Sequence, residues 1–197
     1  ADYDLNLMKP GQTLSYLTAS ILNELKPILT TESPDMILVH GDTTTAFAAA
    51  LSAFYEQIPI GHVEAGLRTK NKYSPYPEEM NRTLIGQLAD LHFCPTIGNR
   101  DNLVREAIAE TQLVITGNTV IDALLMAVRE DYHFENPILN AIDYSNKRVI
   151  LLTCHRRENI GAPMTQIFAA IRALVLANPD VEVVFPMHPN PLIAEAA

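Results

Sequence analysis

Short apolar runs alternate with longer stretches of helical periodicity along this chain. Leu14, Leu17, Ile21, Leu22 and Leu25 recur three or four residues apart, which predicts a helix over 12–29 with Pro27 near its end. Asp35 to His40 is an almost continuous apolar run, the pattern of a strand buried on both faces of a parallel sheet. Gly41-Asp42 breaks that run, and the Ala-rich stretch Thr43 to Tyr55 predicts a second helix. The alternation continues with a strand over 58–63, a polar loop to Tyr76, and a helix over 77–90 with Pro77 as its first residue. A strand over 91–94, a helix over 96–110, a strand over 112–116 and a helix from Gly117-Asn118 to Asp131 follow. Further on, Arg148 to Thr153 and Val181 to Met187 predict strands around an amphipathic helix over 160–177, and Pro191 starts another helix.

Strands alternating with helices of this length define an α/β class built of βαβ units on a parallel sheet. Residues 132–146 are turn-rich and irregular, so they read as a linker between one domain over 1–131 and a second that starts at 147 and runs to 197. No Gly-x-Gly-x-x-Gly occurs, and neither a P-loop nor a Gly-x-Ser-x-Gly elbow is present. The chain opens on a polar segment and a helix rather than a strand, and stops one turn into a helix. Both domains are therefore expected to be incomplete in this chain.

Composition narrows the classes further. The 197 residues are 48% hydrophobic and 19% charged, enough apolar material for a real core. No apolar run approaches the roughly 18 residues of a membrane-spanning helix, and the first residues lack the basic and apolar segments of a signal peptide. Cys94 and Cys154 each lie in or beside an apolar strand and read as free core thiols in a reducing compartment, so a cytoplasmic location is expected. With no Cys-x-x-Cys, a structural zinc site is not expected. The net charge of −9 argues against nucleic-acid binding, which needs a basic face. It leaves room for a phosphorylated small molecule, since a few local cations suffice for that.

In open parallel sheets, ligands bind beyond the carboxyl ends of the strands, and that is where the reactive residues of this chain fall. His40, Gly41 and Asp42 follow the first strand; His62, Val63 and Glu64 follow the second, with Arg68 close behind; Thr116, Gly117 and Asn118 follow the fourth. His155, Arg156, Arg157, Glu158 and His188 follow strands of the second domain. Each has a bland alternative. Asp42 precedes three threonines at a helix start and reads, alone, as an N-cap. Glu64 reads as a surface ion pair with Arg68, and Glu78 and Glu79 as first-turn acids favoured by the helix dipole. The i, i+2 spacings of His40/Asp42 and His62/Glu64 also fit metal ligation, but no matching further ligands accompany them. Taken together, the acids Asp42, Glu64 and Glu78 in the first domain and the cationic cluster His155, Arg156 and Arg157, with His188, in the second suit proton transfer beside a bound diphosphate.

Five segments in order, His40 to Thr45, His62 to Thr69, Ser74 to Arg82, Thr116 to Ala123 and His155 to Asn159, resemble the non-hydrolysing UDP-N-acetylglucosamine 2-epimerases of bacteria. The resemblance implies two Rossmann-like domains of GT-B type with the site between them, and a homodimer in the full-length protein. It implies interconversion of UDP-GlcNAc and UDP-ManNAc by elimination of UDP to a 2-acetamidoglucal and re-addition, with no metal or redox cofactor. Asp42, Glu64, Glu78 and His155 match catalytic positions; Arg68, Asn118 and His155 match substrate-binding ones. Glu78, Arg156 and His188 match positions implicated in allosteric activation by a second UDP-GlcNAc. The family's N-terminal strand and its Gly-Thr-Arg-Pro-Glu loop have no counterpart here, nor do the C-terminal Ser and Glu that hold the nucleotide. This piece alone is therefore expected to be inactive. The rival readings are a hydrolysing 2-epimerase, a GT-B glycosyltransferase, and a nucleotide-sugar-binding fragment without chemistry.

Overall fold

The computed structural model describes residues 2–154, 159–187 and 193–194. The chain divides into two compact units, Ala1–Val128 and Arg129–Ala197.

The first unit begins with helix α1 (Leu14–Glu32), which Thr13 caps by accepting from the Tyr16 N–H. The helix runs through Pro27 and ends three residues later than the periodicity predicts. A proline removes one backbone donor and crowds the preceding turn. Here the turn is held past it by the Thr30 and Thr31 hydroxyls, which donate to the Lys26 and Pro27 carbonyls, and by Leu29, buried in the interior. Strands β1 (Ile37–His40), β2 (Ile60–Val63), β3 (Leu91–Cys94) and β4 (Leu113–Ile115) form one parallel sheet in the order β1-β2-β3-β4. The register sets Ile37 against Ile60, His62 against His92 and Phe93 against Val114. Helices α2 (Thr44–Tyr55), α3 (Glu78–Leu88) and α4 (Ile97–Arg105) connect the strands, and α5 (Thr119–Ala127) follows β4.

The main core joins Val39 and Ile60 from the sheet to Ala46, Ala50 and Ala53 of α2 and Ile85 of α3. The small side chains of α2 let that helix lie close on the sheet. Helix α4 ends five residues earlier than predicted. Ala107, in left-handed backbone, and Ile108 return N–H groups to Val104 and Leu103, a Schellman end that folds Ile108 onto buried Leu103. Pro77 flanks α3 rather than opening it, and α5 stops at Ala127, short of Asp131. Among the described residues, no helix is long and apolar enough to cross a membrane.

In the second unit, the short helix α6 (Pro137–Asn140) lies within the stretch read as irregular. Strands β5 (Arg148–Leu151) and β6 (Val181–Val184) pair in parallel around helix α7 (Ala162–Ala177). Cys154, Met164 and Ile193 form its core, with Phe168 and Phe185 packed alongside at 5.3 Å between ring centres. Arg148 pairs with Asp180 through two hydrogen bonds, of 2.6 and 3.0 Å, at the start of the strand pair. Both cysteines of the chain are free and buried.

Candidate active site

The carboxyl ends of β1 and β2 lie side by side, and their turns are stitched together. Gly41 adopts left-handed backbone (φ 72°), and its N–H donates to the Val63 carbonyl at 3.0 Å. Its own carbonyl accepts from His62 Nε2 at 2.8 Å. His62 is 1% exposed, and burial pushes its pKa down to about 4, with the Gly41 carbonyl opposing and neighbouring His92 and Arg68 assisting. The imidazole is therefore neutral at pH 7 and carries its proton on Nε2. Burial, and then Arg68, likewise lower the pKa of His92 on β3.

Glu64 is also in left-handed backbone (φ 65°), a conformation that costs a non-glycine residue of order 1–3 kcal/mol and persists only where the surroundings enforce it. The loop behind it supplies the enforcement. Ala65 N–H donates to the Phe93 carbonyl, Asn102 donates to the Gly66 carbonyl, and Gly66 lies directly against the Asn99 backbone. Glu64 projects into an open recess of about 520 Å³, lined also by His40, Asn118, Thr119, Val120 and Ala123. His40 Nε2 lies 3.4 Å from one Glu64 oxygen and 3.5 Å from the Thr119 hydroxyl, while Asn118 Nδ2 donates to the other Glu64 oxygen at 3.4 Å. Asn118 does double duty: its side-chain oxygen caps α5 by accepting from the Val120 N–H.

Asp42 is not the N-cap of α2. That role falls to Thr43, whose hydroxyl accepts from the Ala46 N–H at 3.1 Å. The Asp42 carboxylate is thereby left for Arg82 of α3, which donates to it at 2.6 Å, and the Asp42 carbonyl accepts from Asn81 at 2.9 Å. Arg82 also lies 3.3 Å from Glu79, an ion pair too poorly aligned to be a hydrogen bond. Glu79 is not a dipole-favoured surface acid either. It is buried and accepts from the Thr69 and Lys70 N–H groups at 2.8 Å each, so it ties the loop after β2 to α3.

The expected pair of Glu64 with Arg68 does not form. Arg68 turns inward, 4% exposed, and both oxygens of Glu106 accept from it at 2.7 Å. The guanidinium passes over Gly86, where a Cβ would stand 3.1 Å from it. The Glu78 side chain, half-buried in the first turn of α3, has no hydrogen bond or ion pair among the described residues. Asp42, Glu64 and Asn118 are thus brought to one end of the sheet. His155, Arg156, Arg157, Glu158 and His188 lie outside the described residues. Sequence reasoning missed the supporting roles of His62, Glu79, Asn81 and Arg82. The signal was available for the last three, an acid, an amide and a cation at i, i+2 and i+3 on one helix, but their partners lie 9 to 40 residues away.

A family model described as UDP-N-acetylglucosamine 2-epimerase matches residues 1–197. The chain belongs to the UDP-N-acetylglucosamine 2-epimerase family. It is 52% identical over 196 residues to the UDP-N-acetylglucosamine 2-epimerase of Bacillus subtilis, covering 100% of this chain and 50% of that protein. Staphylococcus aureus MnaA, solved with UDP, superposes with a TM-score of 0.90 at 51% identity, over 99% of this chain and 50% of its own. The Neisseria meningitidis UDP-GlcNAc 2-epimerase, solved with UDP-GlcNAc bound, superposes with a TM-score of 0.86 at 43% identity, over 100% of this chain and 54% of its own. The chain therefore spans about half the length of these epimerases. The expected α/β class of GT-B type is borne out by this likeness to epimerase structures.

Proposed function

We propose that a protein of the relatives' full length carrying these residues interconverts UDP-N-acetylglucosamine and UDP-N-acetylmannosamine by eliminating UDP and adding it back. The observation that carries the reading is Glu64, a half-buried carboxylate held in left-handed backbone at a strand end and facing a recess between His40 and Asn118. The bound UDP of the S. aureus relative and the bound UDP-GlcNAc of the N. meningitidis relative support the substrate class.

The proton on sugar C2 has no neighbouring carbonyl to acidify it, so simple abstraction is slow. Elimination solves this. A carboxylate among Asp42, Glu64 and Glu78 takes the C2 proton while the C1–O bond to UDP breaks, leaving a 2-acetamidoglucal and UDP. A carboxyl group on the other face returns a proton to C2 as the UDP oxygen re-forms the bond to C1. Atoms and electrons balance without a cofactor. His155 and its neighbouring arginine stabilise the departing diphosphate, where charge develops. Asn118 contacts the substrate and aligns Glu64. Arg68, whose guanidinium is occupied by Glu106, serves the site through the loop it anchors. A second UDP-GlcNAc at Glu78, Arg156 and His188 activates the enzyme, and the active unit is a homodimer.

The test is turnover of UDP-GlcNAc in D2O. The full-length protein should place deuterium at C2 and yield UDP-ManNAc; the 197-residue chain alone should do neither. Free ManNAc as product would mean hydrolysis instead, and turnover only with an added acceptor would mean glycosyl transfer. Deuterium incorporation by the 197-residue chain would refute its inactivity.

A further inference from the structure

Two buried side chains from different elements donate to consecutive backbone carbonyls. His62 Nε2 on β2 donates to the Gly41 carbonyl at 2.8 Å, and Asn81 Nδ2 on α3 donates to the Asp42 carbonyl at 2.9 Å. These carbonyls belong to the two peptide planes that flank the Asp42 Cα. Gly41 is the residue at which those planes would otherwise be softest, because it has no Cβ to restrict its rotation and sits at φ 72°. Both donors are buried, and His62 Nδ1 has no hydrogen-bond partner among the described residues. Packing does not account for an imidazole here. A leucine or methionine would fill the volume without stranding a buried acceptor. What an imidazole adds is the Nε2–H, and that group is spent on Gly41.

We propose that His62 and Asn81 are positioning residues, which clamp the two peptides on either side of Asp42 and so fix the reach of His40 and Asp42 from the end of β1. They act through the backbone and do not touch substrate. The inference rests on the reading of this site as an epimerase site. It assigns the carboxylate of Asp42 three independent restraints: His62 and Asn81 on its backbone, and Arg82 on its side chain.

The test compares His62→Gln with His62→Leu in the full-length protein. A glutamine amide reaches to the depth of Nε2 and keeps a donor for Gly41; leucine fills the space without one. Folded enzyme is counted by calorimetric titration with UDP, and kcat is expressed per UDP-binding site. His62→Leu should lose kcat on the order of 100-fold with KM little changed, the size expected when a catalytic group is misplaced by about an ångström, and His62→Gln should recover most of it. Asn81→Leu should behave like His62→Leu. Equal losses in the two His62 variants, or wild-type kcat per site in His62→Leu, would overturn the clamp. Nitrogen-15 NMR of histidine-labelled protein gives an independent reading that needs no turnover. The His62 ring should carry its proton on Nε2 at neutral pH, and a proton on Nδ1 would overturn the clamp. A wild-type protein that forms no UDP-ManNAc would sink the epimerase reading while the tautomer still decided the hydrogen bond.

Discussion

A Cβ added to Gly66 would stand 2.2 Å from the Asn99 carbonyl oxygen, with φ at 87°. Neither partner can yield, because both are backbone and Asn99 sits in the first turn of α4. Gly117 has a similar φ of 82° but open space around its Cβ position. The two glycines separate conformational strain from steric exclusion. Gly117→Ala should cost about 1 kcal/mol, the left-handed penalty alone. Gly66→Ala should cost at least about 2 kcal/mol more, since overpacking against backbone adds to that strain. Urea denaturation of the two variants beside the parent chain measures the difference. Equal losses would mean that the loop behind Glu64 has room to move, and that the Glu64 backbone is not enforced by its packing.

Helix ends decide which polar residues of this chain are left free for tertiary contacts. Thr43 caps α2, so Asp42 is released to Arg82. Thr43→Ala should therefore destabilise the chain by about 1 kcal/mol, the ordinary worth of a cap. Asp42→Ala should leave the cap intact. A denaturation midpoint that falls with Asp42→Ala and not with Thr43→Ala would reverse the assignment. The same contrast shows what was legible in the sequence. Apolar runs and helical periodicity placed β1 to β6 and the long helices to within a few residues, although β1 buries Val39 and exposes Leu38 rather than being buried on both faces as its apolar run predicts. The strand-end position of Asp42, Glu64 and Asn118 followed from that order. The capping choice between two adjacent residues did not, since Asp and Thr are both good caps and tertiary contact selected between them. Nor did the partners of Arg68 and Glu79, which depend on where α3 and α4 dock. The exit of α4 was misread because Ala107 is an unexpected residue for a left-handed end.

At the level of the whole molecule, two buried histidines inside one sheet, both with pKa values lowered by burial, weaken its tolerance of acid. Unfolding returns His62 and His92 to water, where a histidine titrates near its ordinary value of about 6.5. Between that value and the folded pKa of about 4 for His62, the unfolded chain binds the more protons. Stability is thus fully present above pH 6.5 and falls as the pH drops toward 4. His62 alone accounts for roughly 3 kcal/mol of that fall. His92 contributes in the same direction. Denaturation at pH 7 and pH 4.5 should show the loss, and His62→Gln should flatten it; an unchanged slope in that variant would remove His62 as its source.

The spatial order of the sheet, β1-β2-β3-β4, is also the order in which its strands are made. On emerging from a ribosome, β2, β3 and β4 each therefore meet a partner strand that has already been made. The turn after β1 is different. Its restraints arrive in instalments, with His62 21 residues behind the Gly41 carbonyl, then Asn81 and Arg82 at separations of 39 and 40. During synthesis, the Asp42 turn is held on its Gly41 side once β2 is built, and gains its remaining restraints only when α3 has left the exit tunnel.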